Sequence, residues 1–294
     1  MPKLKTPVAR NAPMAGLQCR LFAILAFGAG TLAACSIAQG ATLTTLEATY
    51  SISLAGVTIG KAEVISRFTA SGYTIAIEGT TTGLSRLISD ARATLLGNGR
   101  FSAKEVIPAS YNLETREAEF ETHVRMSVQA GAITDLLTIP RLREAPDRIP
   151  LTAAHRRNFV DPLGAFLIVS EKPGTADGKR ICERRIEVFD GWQRFDIALS
   201  YKSTRLVTGT AGAYDGRVVV CSARYIPVAG HRMSLYTTRY MAENKRLEVW
   251  YAPIDDRHLL VPYKILIGTK FGDLVIGSTR FVTTSPGSGS KTEQ

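Results

Sequence analysis

From residue 46 onward the chain alternates larger apolar side chains with small or polar ones, and short runs of glycine, serine or asparagine interrupt the alternation. In residues 47–54 the apolar members are Tyr50, Ile52 and Leu54. In residues 57–68 they are Val57, Ile59 and, past Gly60, Val64 and Phe68. Tyr73, Ile75 and Ile77 then share one face of the next run. Successive side chains of a strand point to opposite faces, so a period of two marks a half-buried strand. The joints Ala55-Gly56 and Ala70-Ser71-Gly72 are too short for a crossover, which leaves antiparallel meander connections. The same pattern predicts strands in residues 90–96, two in 111–129, and further ones in 133–139, 184–189, 193–201, 218–226, 233–241, 246–251, 259–267 and 274–281. So many short strands in one chain imply an all-β fold: a large antiparallel curved sheet, open barrel or sandwich.

One or two short helices interrupt this. Residues 82–88 read as a brief helix or turn. Residues 161–169 read as a helix in which Asp161 caps, Pro162 takes the first position and an apolar run follows. Gly97-Asn98-Gly99 is a turn signal. Residues 140–158, rich in Arg and Pro, form a linker between the halves of the sheet, and 285–294 are too rich in Ser and Gly for a packed element. The domain organisation expected is a leader over 1–38, one β-rich domain over 39–284, and a disordered tail over 285–294.

The leader is read from charge. Lys3, Lys5, Arg10 and Arg20 precede fourteen uncharged, mostly apolar residues, 21–34, and no acid occurs there. A basic stretch, a short apolar core and small residues after it form a secretory signal. The apolar run falls short of the ~20 residues that span a bilayer. Leu32-Ala33-Ala34-Cys35 matches a lipoprotein signal, which would end at residue 34 and lipidate Cys35. Ser36-Ile37-Ala38 and Ala38-Gln39-Gly40 equally suit ordinary signal peptidase, and both processing routes stay open. The expected location is the periplasm, with an outer-membrane tether in the first case. The leader holds four bases and no acid, so its removal lowers the net charge from +10 to +6. That charge favours anionic envelope components, and export disfavours nucleic acid. Of four cysteines, Cys19 and Cys35 lie in the leader. Cys182 and Cys221 remain as a disulfide candidate in an oxidising space, two buried thiols being the alternative.

Motifs for chemistry are scarce. His123, His155, His231 and His258 show no zinc spacing, and Asp255-Asp256-Arg257-His258 reads as a solvated turn, so no metal site is expected. No Gly-x-Ser-x-Gly elbow or P-loop occurs, so no catalytic residue and no cofactor is assigned. The densest charge lies in Arg184, Arg185, Asp190, Arg194 and Asp196. Asp190-Gly191 suits a hairpin turn, and Arg and Asp across it predict a structural hairpin; the alternative is a basic rim for an anionic ligand.

Several short landmarks occur here in a fixed order. They are Asp161-Pro162-Leu163, Cys182, Val188-Phe189-Asp190-Gly191 with Arg194, Cys221, and Tyr225-Ile226-Pro227-Val228-Ala229-Gly230. Together they resemble the bacterial domain-of-unknown-function 3108 family. Tyr50-Ser51-Ile52-Ser53-Leu54-Ala55-Gly56 and Ile59-Gly60 look like that family's opening hairpin, so the resemblance covers roughly residues 46–283. It implies an exported, β-rich envelope protein of Gram-negative bacteria and transfers no catalytic residues. The expected function is therefore a non-enzymatic envelope protein holding a lipid or similar amphiphile in a sheet concavity. A packed structural or interaction protein is the alternative, and a hydrolase or outer-membrane barrel ranks below both. The sequence does not specify the ligand or the oligomeric state.

Overall fold

The structure, a computed structural model, describes residues 43–82, 90–102, 105–174, 178–209, 212–254 and 257–285. Strands β1 (Thr44–Leu54), β2 (Val57–Phe68), β3 (Gly72–Thr81), β4 (Arg92–Ser102), β5 (Glu105–Glu117), β6 (Phe120–Gln129) and β7 (Ala132–Ile139) follow one another as a meander. After the linker come β8 (Ile168–Val169), helix α1 (Gly178–Cys182), β9 (Arg184–Phe189), β10 (Arg194–Val207) and β11 (Gly216–Ala229). Helix α2 (Tyr236–Glu243), β12 (Leu247–Ile254), β13 (Leu259–Thr269) and β14 (Gly272–Thr284) complete the described chain. All strands join one antiparallel sheet in the order β7-β6-β5-β4-β3-β2-β1-β14-β13-β12-β11-β10-β9, with β8 beside β13. The all-β expectation of a large antiparallel sheet with two short helices therefore holds. The ladder is not closed: β7 and β9 are its two ends.

Local chemistry sets the hairpins. Ala55 and Gly56 take φ of +50° and +84°, and Ala130 and Gly131 take +49° and +72°. Positive φ at both central residues gives the turn whose twist matches that of the flanking strands. The sheet then curls until strands far apart in order share a core. Leu46, Phe68, Tyr73, Tyr111 and Met126 pack in one cluster with Val218, Ala252, Ile254 and Val261. A second cluster holds Val219, Cys221, Val249, Tyr251 and Leu260 with Ile181 and Cys182 of α1. Neighbouring residues of β11, Val218 and Val219, thus serve different cores, as do Leu259 and Leu260 of β13. Over residues 218–221, 251–254 and 259–261 the strands β11–β13 are buried on both faces and separate the two clusters. Cys182 and Cys221 are bonded, with Cα atoms 5.4 Å apart, which fastens α1 to β11.

Three local expectations are corrected. Gly97-Asn98-Gly99 does not turn but runs through β4, with a register shift between Asn98 and Gly99. A side chain at Gly97 would sit 3.0 Å from Leu163 Cδ1, and one at Gly99 would sit 2.3 Å from the Ile107 carbonyl. These glycines permit close approach, another use of the missing Cβ. Residues 161–169 form only a 3-10 turn over Gly164–Phe166. The chain extends at Leu167 because Ile168 and Val169 pair with Leu260 and Leu259. Residues 233–241 are not a strand but a turn leading into α2: Met233 and Leu235 face solvent, while the Tyr240 hydroxyl and Asn244 Nδ2 donate to the Gly268 carbonyl. Helix α1 was not foreseen. The short helix expected over 82–88 and the leader with Cys35 fall, almost wholly and wholly, outside the described residues.

Candidate functional site: a basic cleft at the seam

The ends of the sheet approach each other, and residues 157–160 of the linker lie between them. The Asn158 amide donates to the Gly131 carbonyl beside β7 (2.8 Å). The Val160 amide donates to Glu187 O of β9 (2.8 Å), and the Phe189 amide donates to Val160 O (3.1 Å). Isolated bridges join Ala132 to Arg157 and Val160 to Val188. The β9–β10 turn locks against the other side. Asp190 Oδ1 accepts from the Trp192 and Gln193 amides (2.8 and 2.6 Å), and the Trp192 indole donates to the Pro140 carbonyl (2.8 Å). Gly191, at φ +106°, leaves no room for a Cβ beside the Val124 methyls.

Behind this seam lies a buried polar group. Asp161 Oδ1 accepts from the Leu163 and Gly164 amides (2.9 and 3.1 Å), and Oδ2 accepts from the Tyr73 hydroxyl (3.2 Å). Burial pushes its carboxyl up to about 6, with the hydrogen bonds opposing. The Asp190 carboxyl is raised for the same reason. Burial also drives the Tyr73 phenol far above its ordinary range, with Asp161 adding to the shift. Both carboxylates anchor backbone, so their first role is to hold the seam shut.

Beside the seam opens a cleft of about 710 Å³. Its apolar lining includes Val106 and Ile107 of β5, Phe159, Leu167 and Ile186. Arg100, Arg184 and Arg185 supply positive charge, against Glu105 and Glu187. The expected Arg–Asp pairing across the hairpin is present: Arg185 Nε donates to Asp196 Oδ2 (2.6 Å), and Arg194 pairs with Glu187. Arg185 and Glu187 are thereby engaged. Arg184 is held more loosely: one terminal nitrogen donates to the Arg180 carbonyl (3.4 Å), while its Nε is buried with no hydrogen-bond partner among the described residues, as are Arg194 Nη1 and Asp196 Oδ1. Desolvation lowers its pKa. An unpartnered buried guanidinium N–H costs free energy until an acceptor reaches it. The structural pairing expected of the hairpin is present, and Arg184 and Arg185 of the same β9 also line the cleft.

A second cleft, of about 720 Å³, lies on the other side of Val169 and includes Phe68, Phe101, Arg257 and His258. Its cation is already used: Arg257 donates to Thr44 Oγ1 (2.8 Å) and to the Phe68 carbonyl. Asp255 and Asp256, grouped with His258 in the sequence, lie outside the described residues. The buried His231 ring contacts the Tyr225 hydroxyl (2.6 Å) and the Ala229 carbonyl (3.0 Å), which explains its place as a strand-end fastener. Among the described residues no three His, Cys, Asp or Glu side chains gather as metal ligands would. Sequence reasoning missed Arg100, Ile107, Phe159 and Leu167, which come from four separate segments and share no motif.

The profile of the family described as "Protein of unknown function (DUF3108)" matches residues 49–277. No curated protein matches the chain. Among solved structures, a beta-barrel-like protein of domain of unknown function DUF1849 from Brucella abortus is similar. It is 7% identical, with 83% of this chain and 98% of that chain covered and a TM-score of 0.42.

Proposed function

Because the chain belongs to the DUF3108 family, whose members are proteins of unknown function, the site itself must supply the reading, and we propose an exported, non-enzymatic envelope protein that binds an anionic amphiphile in the seam cleft. The observation that carries this is Arg184 Nε, buried without a partner at the edge of an apolar cleft. An acidic head group would meet Arg184 and the exposed Arg100, and its hydrocarbon would cover Val106, Ile107, Phe159 and Leu167. Volume agrees, since small-molecule sites run to roughly 300–1,000 Å³. The larger core is filled by side chains such as Phe68, Tyr73 and Met126, so the ligand sits at the rim of the curl rather than in its middle. Export is supported by the basic and apolar leader and by a disulfide suited to an oxidising compartment.

Native mass spectrometry of the protein purified from its own envelope fraction, with lipid extraction alongside, tests the reading. A stoichiometric anionic lipid adduct is expected, lost in Arg100→Gln/Arg184→Gln, with a thermal melt showing that this variant is folded. A clean apo mass from the native fraction refutes it and favours the packed interaction protein, for which the filled core speaks. The same spectrum shows whether the chain starts at a lipidated Cys35 or near Gln39.

A further inference from the structure

Twelve large apolar side chains are exposed among the described residues; Phe120 and Leu206 are the most exposed and stand apart, whereas five of the twelve gather at one end of the sheet. Phe271 is 69% exposed, Val57 63%, Tyr236 55%, Leu235 44% and Met233 41%. The fold brings them together from three places. The β1–β2 turn abuts the β13–β14 turn: the Ala55 amide donates to the Asp273 carbonyl (2.9 Å), and a Cβ on Gly272 would lie 2.8 Å from the Ala55 Cβ. Val57 follows the first of these turns and Phe271 lies within the second. The β13–β14 turn in turn meets the start of α2, because Lys270 Nζ lies 4.8 Å from the Phe271 ring centroid and 5.9 Å from that of Tyr236. Tyr236 also packs against Tyr240 at 5.7 Å. Leu235 and Met233 immediately precede the helix.

The surroundings are basic. Lys270, Arg239 and Lys245 are exposed, Arg239 also donating to the Met233 and Ser234 carbonyls; Arg246 pairs with Asp273, Arg232 pairs with Asp147 beside Ser234, and Glu243 is a further acid. Val57 and Phe271 lie at two hairpin turns and Tyr236 at the start of a helix. Rings capped by a lysine ammonium suit the boundary between hydrocarbon and head groups, where the ring enters the acyl region and the cation stays with the phosphates. We infer that this tip docks the protein on an anionic bilayer surface, with Phe271, Tyr236 and Val57 inserted at head-group depth and Lys270 against lipid phosphate.

The tip is distinct from the cleft. Arg100 and Ile107 of the cleft pair across β4 and β5 near the Gly72 end of the sheet, whereas the tip lies at the Ala55 end. The test is co-sedimentation of the mature protein with vesicles of equal parts phosphatidylglycerol and phosphatidylcholine, or of phosphatidylcholine alone. Binding is expected to the anionic vesicles and to weaken with salt. It should fall roughly tenfold or more in Phe271→Ser/Tyr236→Ser and in Lys270→Glu. These side chains are exposed, and circular dichroism with thermal melts checks that each variant is folded. Phe271→Trp should keep binding and report insertion by a blue shift of its emission. Arg100→Gln/Arg184→Gln should lose far less vesicle binding than the tip variants, whatever becomes of the lipid adduct. The inference is overturned if the parent ignores anionic vesicles, if the folded tip variants bind undiminished, or if only the cleft variant loses binding. Capture of a protein through this tip without vesicle binding overturns it too.

Discussion

Replacing Cys182 and Cys221 together by alanine should destabilise the fold by about 4 to 6 kcal/mol. The bond spans 39 residues, from a five-residue helix to β11, the third strand from one end of the sheet. Freeing a loop of that length restores about 13 cal/mol/K of chain entropy to the unfolded state, or about 4 kcal/mol at 25 °C. Both sulfurs are also buried in the smaller core beside Leu199 and Val249. Their removal therefore leaves a gap costing on the order of 1 kcal/mol each at most. Helix α1 is too short to hold itself by propensity, so its docking on β10 and β11 depends on this bond and on Ile181. Equilibrium urea unfolding, followed by circular dichroism and by Trp192 and Trp250 emission, measures the difference. The variant should also show a steeper denaturant slope, because its unfolded state is no longer cross-linked. A loss below about 1 kcal/mol with an unchanged slope would refute the reasoning, since it would mean the bond restrains nothing in the unfolded chain.

Three further outcomes are expected. Asp161 holds its proton up to about pH 6 when folded, but only to about 3.9 when unfolded, so its contribution to stability falls as pH rises between those values, by up to roughly 3 kcal/mol. Melting temperature against pH for the parent minus Asp161→Asn should therefore slope downward across that window; an upward slope contradicts the assignment. Gly99→Ala places a methyl against the Ile107 carbonyl and the Tyr73 ring, and should destabilise by about 1–3 kcal/mol in thermal or urea unfolding. Trp192→Phe removes the indole bond to the Pro140 carbonyl; about 1 kcal/mol should be lost, and hydrogen exchange should speed up at the Asn158 and Phe189 amides before it does in β2.

What could be read beforehand follows from how local each signal is. The strands β1, β2 and β3 declare themselves because Tyr50, Val64 and Ile75 alternate over one half-buried face. The strand β11 shows a continuous apolar run, Val218 to Cys221, and its burial on both sides is the reason. Signals failed where a residue served a distant neighbour. Gly97 and Gly99 look like turn residues until Leu163 and Ile107 are placed against them. Asp161 was legible as a cap, but not the strand partner that stops the turn after three residues. Met233 and Leu235 suggested a strand because apolar spacing says nothing about whether a core is there to receive it. Arg184 stood out by charge, yet its missing partner and its apolar surroundings are facts of three dimensions.

The pairing of β1 with β14 has a consequence for how the chain could be rewired. Read from β9 through β14 and on from β1 to β7, the sheet is a simple up-and-down succession; nature has cut that circle in its middle. The cut ends are adjacent, with Thr44 Oγ1 3.1 Å from Ser285 Oγ. A circular permutant that joins 285 to 43 by a short linker and opens the chain within residues 141–147 would keep every strand pair of the sheet. In it, every ladder except the short one between β8 and β13 would connect strands consecutive along the new chain. The native order instead obliges β1 to wait for the last strand, so the permutant should refold faster at similar stability.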